Sequence, residues 1–261
     1  MKRKKLQNIL LPVFTGVILL LLLQSGLLHK LFHIKQLQLP LPSDIAEAFA
    51  ENVDKILLNA VTTMIPAVTG LVLGALLGYA VALLVTAFPN SGYGSLFIMT
   101  IINSIPIVAL APLMNRWFSD AFIAKLAVIT IASSGAMAIN AFRGLNDLPK
   151  NVLDLMYANA ASKRNVFIKL RIPNSLPAVF TALKIGVSAA MLATIISEFF
   201  SSETTGLGYM IKYTLKVGNQ KQIGWAYIAA VSVFSIMLYG IVCLSERKLL
   251  KWHVSQSAAE K

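Results

Sequence analysis

Long apolar runs, cut by short polar intervals, dominate this chain. Leu6–His29 carries no charge, and at about 20 residues per crossing it is long enough for one membrane span. Ile56–Asn115 also holds no Asp, Glu, Lys or Arg. That is too long for one crossing and fits two, with Phe88-Pro89-Asn90-Ser91-Gly92 as the turn signal between them. Three further runs follow, near Ala121–Phe142, Ala178–Phe200 and Trp225–Leu244. The pattern predicts an all-α integral membrane protein with about six transmembrane helices, near 6–29, 57–87, 93–115, 121–142, 178–200 and 225–244. Residues 1–261 read as a single membrane domain.

The polar intervals supply the rest of the layout. Leu39-Pro40-Leu41-Pro42-Ser43 is a rigid extended piece, and Ser43 is the expected N-cap of a short interfacial helix carrying Glu47 and Glu51. Asp154–Pro177 is the longest polar, basic interval. Lys163, Arg164, Lys169 and Arg171 lie in it, with Lys150 just before. Leu153, Met156, Tyr157, Ala160 and Ala161 recur at helical spacing, so Pro149–Phe167 reads as a helix outside the bilayer. Pro173 and Pro177 then mark the entry to the next span.

Composition agrees with the pattern: 57% hydrophobic residues, 13% charged, and a mean hydropathy of +0.72. No soluble globular class has this balance. The net charge of +12 is spread between the apolar runs without aromatic interleaving, which points to membrane topology and not to nucleic acid. Basic residues crowd the amino terminus, the Arg143–Arg171 interval and the carboxy-terminal Arg247, Lys248 and Lys251. Lys and Arg are retained on the cytoplasmic side, so both termini and the basic interval are expected inside.

Four residues are candidates to line a path. Asn103 sits beside Pro106 and Pro112, and Ser133 and Asn140 form a polar stripe in the fourth run. Glu198 lies near the outer end of the fifth, where Ser201 and Ser202 favour a place at headgroup level. Gly70, Gly74 and Gly78 recur every fourth residue, as in a helix–helix seam. Cys243 is the sole cysteine, and His29 and His33 have no Cys or carboxylate near them, so no metal site is expected. Phosphate-loop, HExxH, GxSxG and CxxC motifs are absent. No catalytic residue or cofactor is expected.

The Asp154–Pro177 interval resembles the cytoplasmic loop of permease subunits of binding-protein-dependent ABC importers, whose pattern is Glu-Ala-Ala, three residues, Gly, and a double-proline end. Asp154 stands at the Glu position and Ala160 at the Gly position. Ser162, Lys163 and Phe167 match small, basic and aromatic preferences, and Pro173 with Leu176-Pro177 matches the end. Leu155 and Met156 replace the two alanines. The segment SIPIVALAPLMNRWF (104–118) is similar to the sulfonate, nitrate and taurine branch.

The resemblance implies a type I importer permease in a bacterial inner membrane. Asp154, Tyr157, Ala160, Ala161, Ser162, Lys163, Phe167 and Pro173 would then form the coupling element on which a separate ATPase subunit, the one that binds ATP, docks. It implies a homodimer and an extracytoplasmic solute-binding protein that delivers a sulfonate, nitrate, taurine or thiamine-precursor-like solute. The alternative left by the residues alone is an ATPase-independent carrier or membrane enzyme whose basic loop meets lipid headgroups.

Overall fold

The structure, a computed structural model, describes residues 2–36, 38–217 and 221–251, with the side chains of 2–9, 12, 89–93 and 221 outside the description. Every regular element among them is helical. The end of the chain past Lys251, expected inside, lies beyond these residues. Helix α1 (Lys2–Gln24) ends at Gly26, whose φ of 70° turns the chain into the short α2 (Leu27–Phe32). Helix α3 (Pro42–Glu51) follows. Its N-cap is Leu41 and not Ser43, because Pro42 needs no backbone partner at the first helical position. Ser43 is instead held by Gln24, through bonds of 3.0 and 3.1 Å.

Four helices are long and apolar enough to cross a membrane as single elements. They are α4 (Val53–Ala87), α7 (Ala121–Asn146), the continuous Lys163–Phe200 segment, and α12 (Lys221–Leu249). A fifth span is a broken one. Helices α5 (Pro89–Asn103) and α6 (Ile107–Trp117) meet at an angle of 95°. The expected straight span over 93–115 is thus interrupted at Ser104–Pro106, where Pro106 has no N–H to continue the helix. The expected turn over 88–92 shrinks to Phe88 alone, since α5 starts at Pro89. The expected first span maps onto α1, whose apolar stretch among fully described residues is Val13–Gln24.

The basic interval is also more divided than its periodicity suggests. Helix α8 (Lys150–Ala158) stops, α9 (Lys163–Val166) restarts, and a π-helical stretch, Phe167–Arg171, leads into α10 (Ile172–Phe200). Pro173 and Pro177 do not break the chain. Pro173 occupies the first turn of α10, where a missing N–H costs nothing, and Pro177 lies within the helix. Helix α11 (Leu207–Lys216) then packs against α12.

The core is built on α4, α7 and α10. Gly70, Gly74 and Gly78 of α4 all face α7: a β-carbon there would lie 2.6 Å from Ile129, 2.0 Å from Ser133 and 2.3 Å from the Ser134 carbonyl, respectively. Backbones therefore approach as closely as small residues permit. Leu71, Ala111, Met114, Val128, Ile129, Val187 and Ala190 fill the middle. Ala82, Met137, Ala141, Leu145 and Ala182 fill the end that carries α8 and α9. Ile56, Leu207, Ile211 and Tyr227 fill the end that carries α3 and α11.

Candidate functional site

Helix α8 buries none of its residues. Asp154 is exposed, Leu155 and Tyr157 are 63% and 52% exposed, and Met156 is half-buried. Among the described residues no other element buries this helix, so its apolar stripe stays largely open. Its end is defined in detail. The N–H of Ala160 donates to the Tyr157 carbonyl (2.9 Å) and that of Ala161 to the Met156 carbonyl (3.0 Å). These are the two bonds of a Schellman cap. The cap forces Ala160 into the left-handed region, at φ 53°. This is the position the resembling pattern gives to glycine, and the backbone shows why. Ser162 then caps α9, its Oγ accepting from the Asn165 N–H at 3.3 Å. Lys163 is exposed, and Phe167 and Pro173 are half-buried along the return path.

The return is fastened to the bundle. Arg171 Nη1 donates to the Leu145 carbonyl (2.9 Å) and to Asn146 Oδ1 (2.7 Å). Asn174 Nδ2 donates to the carbonyls of Gly144 (2.9 Å) and Asp147 (3.0 Å). The last carbonyls of α7 lack intrahelical partners, and a cation is favoured at that end of the dipole. Gly144 lets α10 approach: a β-carbon there would stand 2.7 Å from Ala178. The projecting element is thus hinged on both α7 and α10. Sequence reading missed Arg171 and Asn174. Their signal was an Arg and an Asn beside a proline, with no hint of the carbonyls they would meet.

The four path candidates are not brought together. Asn103 ends α5 in an exposed place against Gly135 of α7. Ser133 is sealed in the α4–α7 seam, donating to the Ile129 carbonyl at 2.8 Å. Asn140 is half-buried and donates to the Ala136 carbonyl at 2.8 Å. Glu198, near the end of α10 as expected, is 1% exposed. Its Oε1 accepts from Thr63 (2.8 Å) and its Oε2 from the Gly208 N–H (2.7 Å). Thr63 in turn accepts from the Leu207 N–H and Asn59 from the Gly206 N–H. Three consecutive amides opening α11 are therefore held by side chains of α4 and α10. Gly206, at φ 107°, leaves room for the carboxylate, which a β-carbon would meet at 2.5 Å. Nearby, the buried Lys125 of α7 pairs with Glu203, and Lys212 caps α10 through the Phe199 carbonyl (2.6 Å).

With this arrangement in view, likeness to known proteins decides the family. Residues 74–251 match the family described as "Binding-protein-dependent transport system inner membrane component". The chain belongs to that family. It is a multi-pass permease of the binding-protein-dependent ABC transporter class, and not an enzyme. Among its relatives is the formylaminopyrimidine transport permease protein of Halalkalibacterium halodurans, 28% identical over 59% of this chain and 61% of that one. Another is the nitrate import permease protein of Synechococcus elongatus, 26% identical over 74% and 64%. The permease thus spans about three fifths of the length of these relatives. Among solved structures, a crystal structure of an amino acid ABC transporter with histidines superposes with a TM-score of 0.64, at 15% identity, over 77% of this chain and 96% of that one. That likeness concerns the fold.

Proposed function

We propose that this permease is the path-forming subunit of an importer, driven by a separate cytoplasmic ATPase that docks on α8 and α9. The observation that carries the reading is the contrast between the uncovered α8 and its fastened return. A docked motor would move the apolar and basic face of Asp154, Tyr157, Ala160, Ala161, Ser162 and Lys163. Phe167 and Pro173 would carry that displacement into α10, and Arg171 and Asn174 into the end of α7. Because α4, α7 and α10 are packed through glycine seams, the displacement turns them as rigid bodies between two packings instead of bending them.

In this reading α8, α9 and both termini face the cytoplasm of a bacterial cell, in line with the excess of Lys and Arg on that side. Two copies form the path, and a solute-binding protein delivers to the end carrying α3 and α11. The solute is of the class handled by the resembling branch: a sulfonate, nitrate, taurine or a pyrimidine precursor of thiamine.

The test is to tag the chain at native expression, extract it in mild detergent and identify what accompanies it. An ATPase bearing a phosphate loop, in equal amount, supports the reading. Asp154→Lys, which reverses charge on a surface that buries nothing, is expected to release that ATPase while leaving the permease folded. A clean homo-oligomer with no ATPase refutes it.

A further inference from the structure

Helices α10 and α12 do not close on each other along their full length. A cleft of about 490 Å³ opens between them, lined by Thr181, Lys184, Ile185, Ser188 and Tyr239. Lys184 Nζ donates to both carboxylate oxygens of Glu246, at 2.8 and 3.1 Å. The two side chains stay 24% and 21% exposed. Ala178 meets Gly144 near the end of α7, and Lys184 lies roughly 9 Å further along α10 at 1.5 Å per residue. Both partners of the pair stand inside spans. Ionisable groups in such places are costly, and they face protein or a water-filled cavity and not lipid. The core takes the other face of α10, where Gly186, Val187 and Ala190 are buried. On the face of the pair, Thr181, Ile185, Ser188 and Tyr239 are exposed. That face therefore belongs to the wet side of the bundle.

We propose that this cleft is a solute site, and that the Lys184–Glu246 pair opens to take a small zwitterion, whose acid group meets Lys184 and whose ammonium meets Glu246. This deepens the importer reading and rests on it. Empty, the pair closes on itself and leaves neither charge unpaired. Loaded, one ion pair is exchanged for two. A solute with a single charge satisfies one partner and strands the other, which is costly away from bulk water. The site thus rejects a lone ion through the partner it leaves unpaired. The uncharged groups suit the same class. Among the described residues, the Ser188 and Tyr239 hydroxyls have no hydrogen-bond partner within the chain, so each can donate to an acid group or accept from an ammonium. Thr181 gives its proton to the Pro177 carbonyl at 3.0 Å, and its oxygen only accepts. Ser188 follows Lys184 by one helical turn, and Tyr239 precedes Glu246 by two, so each hydroxyl shares a helix face with one of the charges. Within the resembling branch, the amino sulfonate taurine has this charge pattern and nitrate does not.

The test is protection from thiol labelling of the full-length chain in membranes. Ile185→Cys, in a Cys243→Ala background that removes the sole cysteine, places a thiol in the cleft. Ile236→Cys, at a native position 70% exposed on α12, is the reference. The reagent is the uncharged methyl methanethiosulfonate. The probes are two zwitterions, taurine and β-alanine, with methanesulfonate as the anion alone and methylammonium as the cation alone. The expected result is that at least one zwitterion slows labelling at 185 threefold or more, that neither lone ion does, and that 236 is unchanged. Lys184→Gln should hand protection to methylammonium and Glu246→Gln to methanesulfonate, and the double variant should lose all protection. Lone ions that protect the parent pair as well as the zwitterions do, or zwitterion protection that survives the double variant, overturn the solute class. No protection by either zwitterion overturns the site. A zwitterionic lipid headgroup has the same chemistry, so the Ile185→Cys chain is also labelled in phosphatidylglycerol vesicles with and without phosphatidylethanolamine. Slowing by the ethanolamine lipid with none by the soluble zwitterions gives the cleft to lipid and overturns the solute site. If Ile185→Cys does not accumulate, Ser188→Cys takes its place. The labelling needs neither ATPase nor binding protein. A missing ATPase in the co-purification and a lack of protection are thus separate results.

Discussion

Replacing Gly78 by alanine tests the seam on which the bundle depends. The added β-carbon would lie 2.3 Å from the Ser134 carbonyl oxygen, 2.8 Å from Met137 Cβ and 2.9 Å from the Ala138 nitrogen. Favourable carbon contacts fall near 3.5–4.0 Å, so roughly 1 Å must be found. Two of the three obstacles are backbone atoms of α7 and cannot rotate away. The helices must part, which loosens Ala82, Met137, Ala141 and Leu145 beneath them. Inserting one methyl into a packed core costs about 1–3 kcal/mol, against at most about 1 kcal/mol gained from replacing a helical glycine. The net loss is about 1–2 kcal/mol, or roughly 2–8 °C in thermal midpoint for a domain of this size. Gly240→Ala, where nothing lies within 4 Å, is the control and should match or slightly exceed the parent. Midpoints of detergent-purified proteins, read by tryptophan fluorescence, give the answer. A Gly78→Ala midpoint within 1 °C of the parent would refute the claim that close backbone approach holds α4 to α7.

Three further outcomes follow from the same contacts. Glu198→Ala strips the partners from Thr63 and the Gly208 amide in a fully buried place, and should cost about 2–4 kcal/mol. Glu198→Gln keeps an acceptor and should lose less than half of that; equal losses in thermal melts would argue against the hydrogen bonds. Ala160→Gly removes the left-handed strain of the Schellman cap, about 1 kcal/mol, partly offset by the greater freedom of glycine when unfolded. Protease cleavage between Asn159 and Ser162 should slow by up to a few fold, and faster cleavage would contradict the cap. Lys125→Met strands Glu203, whose side chain is 37% exposed, so about 1–2 kcal/mol should be lost. A double change with Glu203→Gln should recover part of it in a mutant cycle; additive losses would mean that the pair contributes nothing.

Spans and seam were legible in the chain because both follow from local pattern. Charge-free runs locate α4 and α12, and the spacing of Gly70, Gly74 and Gly78 is itself a helical face. The break at Ser104–Pro106 was half legible. Pro106 signals an interruption, but the angle depends on Gly135, which the chain brings near only on folding. The burial of Glu198 was not legible, because its sequence neighbours are serines. Its actual partners, Thr63 and Gly208, lie 135 and 10 residues away, and the burial they create has no local signature. Ser43 failed as a cap for a different reason: a proline one residue earlier already satisfied the helix start. In the basic interval, periodicity marked α8 but not where it stops, since the stop is a backbone conformation adopted by an alanine.

The division between a naked tip and a fastened hinge separates two evolutionary pressures. Substitutions at the exposed positions of α8, such as Asp154, Leu155 and Tyr157, disturb little packing within the chain, because no residue of that helix is buried. In the proposed docking its exposed residues answer to the ATPase alone. Arg171, Asn174 and Gly144 answer to the bundle, through the carbonyls they hold and the close approach of α10. In the proposed docking one scaffold could be re-paired by rewriting a single exposed turn, and Leu155, where the resembling pattern has an alanine, sits on the exposed side of that boundary.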